Sequence, residues 1–147
     1  MSNQEIKIIE FDSPTYWKWV QLREIILRLP LGKRFHLEDL NSDVHEKIFV
    51  LMEGGKILGG AQLVVFDNTA KMRQVAVKST LQSAGLGTTL MHFIESYCRQ
   101  NNINSIYCHA RDSACNFYKK NKYLIVGDQF SEVGIPHYKM VKYLSKD

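Results

Sequence analysis

The chain has 147 residues, a formal net charge of +4 and 45% hydrophobic residues, which is ordinary for one soluble globular domain. No apolar run approaches the roughly 20 residues that a membrane-spanning helix needs, and the first residues lack the pattern of a secretory signal. Lys and Arg are scattered along the chain, which disfavours nucleic acid as a partner and mildly favours an anionic small molecule.

The chain contains three cysteines, Cys98, Cys108 and Cys115, and no Cys-x-x-Cys pair. An odd number at irregular spacing predicts free thiols rather than a disulfide framework, and it matches no common zinc pattern. We therefore expect a cytoplasmic protein with no metal site and no membrane association.

The first half of the chain predicts a strand and then a helix. Residues 5–11 are typical of a strand, and Ser13-Pro14 predicts the start of a helix over residues 15–29 that Pro30 ends. Arg23 and Arg28 fall outside the apolar stripe of that helix, which places them on a solvated face or at the edge of a binding site.

The middle of the chain predicts a three-strand meander. A polar stretch at residues 31–43, with a short helix near its end, is typical of a binding loop. The Gly54-Gly55 pair predicts a hairpin turn, and Gly59-Gly60 predicts a bulge. The meander strands are predicted at residues 46–52, 56–66 and 69–77.

The remaining elements follow a short glycine-containing loop. We expect a helix after Gly87 up to about Tyr97, a strand at residues 105–110, a short helix at 114–120, and strands at 123–126 and 137–144. No repeat or linker interrupts this order, so residues 1–147 are predicted to form a single α/β domain.

The loop after the third meander strand has the composition of an anion-binding turn. It reads QSAGLG and opens an amphipathic helix, so its backbone amides and the helix dipole would point at a bound phosphate. The phosphate-binding loop of nucleotide triphosphatases needs a Lys after the last Gly, and the dinucleotide-binding fingerprint needs a third Gly at position 90. Neither residue is present.

Three motifs in order resemble the GNAT N-acetyltransferases. The first is Gln82-x-x-Gly85-x-Gly87, which resembles the Gln/Arg-x-x-Gly-x-Gly/Ala motif of that family. The second is the segment ACNFYKKNKY at residues 114–123, and the third is GIPHYKM at residues 134–140, which is similar to a signature of the ElaA/YjcF-like branch. The order of elements agrees with the family over nearly the whole chain.

The resemblance implies a fold, a donor and a set of site residues. The fold would be a mixed, mostly antiparallel sheet of six or seven strands, with helices on both faces and a splay between the fourth and fifth strands. The donor would be acetyl-CoA, and the acceptor a primary amine of a small molecule or a protein. The implied cofactor-binding residues are Val75, Ala76, Val77, Gln82, Ser83, Ala84, Gly85, Leu86, Gly87, Thr88 and Asn116.

Tyr118 matches the tyrosine that lies beside the thioester sulfur as a general acid. Arg28 and His137 are the candidate acceptor-binding residues. The family has Gly where this chain has Lys122, and Asn121 is expected to take the left-handed conformation in its place.

No general base can be chosen from the sequence. His109 and Arg111 are expected to be satisfied or exposed side chains rather than cleft residues, and Asp128 and Glu132 qualify as bases by location alone. A catalytically weak acyl-CoA sensor is the alternative function, because it needs the glycine loop but neither Tyr118 nor an acceptor pocket. Dimerisation is common in such folds, so a homodimer stays open.

Overall fold

The computed structural model describes residues 3–78 and 85–145. Its strands are β1 (Gln4–Ile9), β2 (Lys47–Glu53), β3 (Lys56–Phe66), β4 (Thr69–Val77), β5 (Ser105–Arg111), β6 (Leu124–Glu132) and β7 (Ile135–Tyr143). Its α-helices are α1 (Pro14–Arg23), α2 (Leu86–Gln100) and α3 (Cys115–Lys120). Short helical turns cover Glu24–Arg28, Leu29–Leu31, Leu37–His45 and Asp112–Ala114. None of the helices within these described ranges is long and apolar enough to cross a membrane.

The seven strands form one mixed sheet in the order β1-β2-β3-β4-β5-β7-β6. All neighbouring pairs are antiparallel except β4 and β5, which run parallel. The parallel pairing begins at Thr69 and Ser105 and ends at Met72 and Cys108, although both strands continue beyond those residues. The predicted splay between the fourth and fifth strands is therefore confirmed.

Helices cover both faces of the sheet, and alternate apolar side chains of β2 pack into two separate cores, one on each face. Phe49 packs with α2 residues such as Leu90 and Ile94 on one face. Ile48 and Val50 pack with α1 residues on the other face. A strand that is buried on both faces is expected to be continuously apolar, as the IFVLM run of β2 is. The predicted mixed α/β class with helices on both faces is confirmed.

The first helix ends earlier than the sequence pattern predicts. Regular α-helix stops at Arg23, and the chain continues through a π-helical turn to Arg28. An extra residue per turn rotates the later side chains, so Ile25 and Leu29 are exposed instead of continuing the apolar stripe.

Arg23 is buried, so its predicted place on a solvated face is wrong. Its Nη1 lies 2.7 Å from Asp43 Oδ2 and 2.7 Å from Gln62 Oε1. The same carboxylate accepts a hydrogen bond from the Tyr16 hydroxyl at 2.7 Å. Gln62 also donates through Nε2 to Glu46 at 3.0 Å. This buried network joins α1 to β3 and to the segment before β2.

The left-handed residue after α3 is Lys122, with a φ of 73°, and not Asn121. The amide of Lys122 donates to the Lys119 carbonyl, and the amide of Tyr123 donates to the Tyr118 carbonyl, both at 3.0 Å. This pair of bonds is a Schellman motif, which requires the left-handed conformation at its penultimate residue. Asn121 instead caps the helix through its side-chain amide, 3.0 Å from the Phe117 carbonyl oxygen.

Candidate active site

A cleft of about 210 Å³ lies where β4 and β5 part. Residues of β5 alternate across the sheet, so Cys108 and Ala110 face the α2 side while His109 and Arg111 face the α1 side. Side chains of both sets line the cleft. The gap between the strands therefore connects the two faces of the sheet, which would let two ligands approach one point from opposite sides.

The wall that β4 contributes is shaped by a bulge. Gln62 pairs with Arg73 and Gly60 pairs with Ala76, so Gln74 and Val75 both lie opposite Ala61. Gln74 takes a left-handed φ of 55°, the conformation that Gly has at the first position of a G1 bulge. The bulge bends β4 at the point where β5 leaves it, and bulges are over-represented beside active sites.

The three implied β4 residues divide between the two faces. Ala76 is buried against the α1 core, whereas Val75 and Val77 pack toward the α2 side. The amide of Lys78 donates to the Leu58 carbonyl at 2.8 Å. Because backbone groups alternate along an antiparallel ladder, Val77 and Val75 direct theirs to the β5 side of the strand.

The first turn of α2 carries the described part of the glycine loop. Gly85 has a φ of 80°, which glycine adopts without strain, and no side chain of the described residues caps the helix. The Thr89 amide donates to the Gly85 carbonyl at 3.1 Å, so the amides of Leu86, Gly87 and Thr88 have no intrahelical partner. Gln82, Ser83 and Ala84 lie outside the described residues.

Gly87 is required by packing rather than by a special backbone conformation. A Cβ at this position would lie 3.0 Å from two ring carbons of Phe117 in α3. The close approach fixes the start of α2 against α3. The Thr88 hydroxyl accepts a weak hydrogen bond of 3.4 Å from the Asn121 amide across the same contact. Asn116, the other implied cofactor residue, is exposed on α3.

Tyr118 lies at the bottom of the cleft on the α2 side. It is 5% exposed, and its ring packs edge-on against Phe117 and Tyr123. Burial raises the pKa of its phenol well above the usual value, and the neighbouring thiol of Cys108 adds to that shift. Burial also raises the pKa of Cys108 to about 12. Both groups are therefore neutral at pH 7, and the phenol is a hydrogen-bond donor.

The α1 side of the cleft contains a carboxylate between two imidazoles. Glu132 Oε1 lies 3.0 Å from His109 Nδ1, and Glu132 Oε2 lies 3.7 Å from His137 Nε2. His137 is buried, and its Nδ1 lies 2.8 Å from the Ile135 carbonyl oxygen. The three side chains meet because His137 pairs with Arg111 on β5 and with Phe130 on β6.

Two of these positions correct the sequence expectations. His109 and Arg111 were expected outside a cleft, yet both line it. Arg111 donates to the Leu27 carbonyl at 3.1 Å and so ties β5 to the turn after α1. Glu132 was a base candidate only by location, and its contacts with His109 and His137 now give it a defined environment.

Arg28, a candidate acceptor-binding residue, also lines the cleft, and its guanidinium lies 4.5 Å from the Phe35 ring centroid. Arg73 is a further lining residue that sequence reasoning missed, and it forms an ion pair with Glu46. Alternation along β4 does not reveal it, because the bulge at Gln74 breaks the period. Among residues 3–78 and 85–145, no group of His, Cys, Asp or Glu side chains is arranged to hold a metal ion.

Comparisons with known proteins agree with this geometry. The family model described as "Acetyltransferase (GNAT) domain" matches residues 31–144. The uncharacterized N-acetyltransferase YjcF of Bacillus subtilis is 29% identical over 94 residues, which cover 63% of this chain and 67% of YjcF. A second relative from the same bacterium matches over 61% of its own length, so the match leaves more than a third of that relative uncovered.

Solved structures show the same fold. A Lactobacillus plantarum protein assigned as an N-acetyltransferase superposes with a TM-score of 0.83 at 22% identity, over 95% of this chain and 99% of that one. Escherichia coli ElaA superposes with a TM-score of 0.80 at 18% identity, over 97% and 99%. The family match covers most of the chain, and the predicted likeness to ElaA and YjcF is confirmed. This chain belongs to the GNAT acetyltransferase family.

Proposed function

We propose that this protein transfers an acetyl group from acetyl-CoA to a primary amine of a small molecule or a protein, within a ternary complex. The observation that carries the proposal is the gap between β4 and β5, which opens after Met72 and Cys108 in an otherwise continuous sheet. Family membership supplies the reaction class. The cytoplasmic location and the homodimer stay predictions.

The donor would bind from the α2 side of the sheet. The backbone of Val75 faces the gap and can pair with the amides of a pantetheine arm, as an added strand would. Val77 is proposed as a cofactor-binding residue on the family resemblance alone. The uncapped amides at the start of α2 favour a pyrophosphate, with about 0.3–1 kcal/mol per charge from the helix dipole at an exposed site. Gln82, Ser83, Ala84 and Asn116 are proposed to complete this site.

Tyr118 would act on the leaving group. Amine attack on the thioester carbonyl expels a thiolate, and a buried phenol can donate a hydrogen bond to that sulfur as charge develops. In the structure the phenol lies beside a sulfur atom, that of Cys108, which contributes to the raised pKa of Tyr118. Its raised pKa favours donation of a hydrogen bond over complete loss of the proton.

The test is thiol release from acetyl-CoA in the presence of a panel of primary amines. The panel contains an alkylamine, a polyamine, an amino acid, an amino sugar and a short peptide with a free N-terminus and a lysine. We expect at least one amine to raise thiol release above the rate with water alone. Acetyl-CoA binding without amine-dependent release across an expanded panel would favour the sensor alternative.

Tyr118→Phe separates the enzyme from the sensor more sharply. Removal of the hydroxyl group should lower kcat at least about tenfold and leave the Kd for acetyl-CoA unchanged, since the packing of the ring is retained. Tyr143→Phe is the matched control, because Tyr143 is 75% exposed on β7 and lies outside the cleft lining. Equal turnover of the Tyr118→Phe variant and the wild-type protein would remove this role.

A further inference from the structure

We infer that His109, oriented by Glu132, is the general base that takes the proton from the acceptor amine. The inference rests on the proposed function, because it assigns a step of that reaction to residues on the α1 side of the cleft. An amine must be neutral to attack a thioester, whereas alkylamines are mostly protonated at pH 7. A group that accepts this proton beside the gap is therefore needed.

The geometry of the pair fixes which ring nitrogen is available. Glu132 Oε1 lies 3.0 Å from His109 Nδ1, so an ionised carboxylate accepts the Nδ1 proton and leaves the lone pair on Nε2. This is the relation between carboxylate and imidazole that orients the base in serine hydrolases. His109 is about a quarter exposed and lines the cleft, so its ring is within reach of a ligand there.

Packing holds the imidazole in place. The His109 ring packs edge-on against Phe130, with 5.0 Å between the ring centroids, and Phe130 in turn stacks on His137. His137 Nε2 lies 3.7 Å from the second oxygen of Glu132, and its Nδ1 faces the Ile135 carbonyl. Glu132 is thus flanked by two imidazoles, of which only His109 is within hydrogen-bond distance, and its own side chain is 46% exposed.

His137 is less suited to be the base. It is 3% exposed, one ring nitrogen is occupied by the Ile135 carbonyl, and the other faces Glu132. His109 has one nitrogen engaged by Glu132, and the contacts of the described residues leave the other unoccupied. We therefore assign the base to His109 and a packing role to His137, which stacks on Phe130.

Among the described residues, the charged and titratable groups that line the α1 side of the cleft or neighbour His109 on the sheet come from β4, β5, β6, β7 and the segments after α1. They are Lys71 and Arg73, Tyr107 and Arg111, Glu132, His137 and Lys139, and Arg28 and Lys33. Glu132 is the only carboxylate in this set. Its removal leaves the imidazole among cations, which disfavours the protonated ring.

The proton balance of the step is complete. The ammonium loses one proton to His109 Nε2, directly or through one water, and the neutral nitrogen forms a bond to the carbonyl carbon. The C–S bond breaks as the tetrahedral intermediate collapses, and the nitrogen loses a second proton. One proton ends on the thiol of CoA, whose sulfur would lie beside Tyr118, and the other leaves His109 for solvent.

The decisive variant is His109→Asn, because the Asn side-chain amide can still donate to Glu132. At pH 7.5, kcat/KM for an alkylamine should fall about 100-fold, the lower end of the range for general base catalysis. Hydroxylamine is a neutral nucleophile at this pH and needs no prior deprotonation, so its rate should fall less than about threefold by the same argument. His92→Asn is the matched control, since His92 is exposed on α2.

Glu132→Gln tests the orienting carboxylate. The substitution keeps an oxygen that can accept a hydrogen bond from His109 Nδ1 but removes the negative charge. The ascending limb of the plot of kcat/KM against pH should therefore move to lower pH. Glu53→Gln, at the exposed end of β2, should leave the profile in place. An unmoved limb in Glu132→Gln, or equal losses with both nucleophiles in His109→Asn, would overturn the assignment.

A readout that needs no acceptor keeps the inference separate from the proposed function. Imidazole ¹⁵N spectra of the wild-type protein should show neutral His109 as the Nδ1–H form, and Glu132→Ala should abolish that preference. The Nε2–H form in the wild-type protein would overturn the inference, even if acetyl transfer is confirmed. If acetyl-CoA does not bind, the proposed function fails, and with it any catalytic role for this pair.

Discussion

Removing the arginine of the buried ion pair between Arg23 and Asp43 should destabilise the protein far more than removing the arginine of an exposed ion pair in the same chain. Both side chains of the buried pair are at most 2% exposed, and their closest atoms are 2.7 Å apart. The exposed pair, Arg34 and Glu24, has an Arg side chain that is 76% exposed and a separation of 4.0 Å. Arg23→Met and Arg34→Met therefore remove the same group from opposite environments.

The expected magnitudes follow from what each variant leaves behind. Removing one member of a buried pair costs about 3–5 kcal/mol, because the other charge stays buried without a counter-charge. Asp43 would keep donors from Tyr16 and Gln62, so the lower value, about 3 kcal/mol, is expected for Arg23→Met. Arg34→Met should cost less than about 1 kcal/mol.

Urea unfolding and thermal melting measure this difference directly. At about 2–4 °C per kcal/mol for a domain near this size, Arg23→Met should lower the Tm by about 6–12 °C. The double variant Arg23→Met/Asp43→Asn should recover part of the loss, since it also removes the uncompensated charge. If Arg23→Met lost no more stability than Arg34→Met, the network would not contribute to stability as argued.

Three further predictions concern the turns and the thiols. Val133 has a φ of 48° at the β6–β7 turn, which is strained for a β-branched residue. Val133→Asn should therefore raise the unfolding free energy, measured by urea titration, by about 1 kcal/mol. An unchanged urea midpoint would contradict this. Lys122→Gly should also raise the unfolding free energy, by about 0.5–1 kcal/mol, because Gly takes the left-handed position without strain. A loss of stability would show that the contacts of the Lys side chain outweigh the strain of its left-handed backbone. Burial raises the pKa of Cys98 and Cys108 to about 12 and also raises that of Cys115. All three thiols of the native protein should therefore react slowly with a thiol reagent at pH 8. Rapid labelling of one thiol in the folded protein would refute this prediction.

The fold was predictable where local chemistry dictates it. Gly54 and Gly55 both have positive φ, as a two-residue hairpin turn requires, and the strands on either side follow the predicted pattern. The bounds of β3 and β4 match the prediction, because the turns at Gly54-Gly55 and at Asp67-Asn68 define the start of each strand. The glycine motif located α2 but not its first residue, because the helix begins at Leu86, directly after the left-handed Gly85, and not after Gly87.

The candidate site was less predictable, because its residues meet through register rather than through spacing. β6 runs to Glu132, whereas the pattern predicted only the start of this strand, at residues 123–126. Its side chains are exposed on both faces, so no hydrophobic alternation marks its second half. The pairing of β7 with both β5 and β6 is what brings Glu132 to His109, and a single sequence gives no register.

Arg23 illustrates a second limit of prediction from a single sequence. Its partners Asp43 and Gln62 lie about 20 and 40 residues away, in a helical turn and a central strand. An arginine outside an apolar stripe is normally solvated, and only the folded structure shows the carboxylate that permits burial.

The most direct test of the central claim is hydrogen–deuterium exchange with and without acetyl-CoA. A donor bound in the gap should slow amide exchange in β4 from Arg73 to Val77 and in the first turn of α2, and leave the β1–β2 pair unchanged. At 100 times the Kd, binding should also add about 2.7 kcal/mol to the unfolding free energy. Protection confined to other elements, or none at saturating acetyl-CoA, would contradict the account.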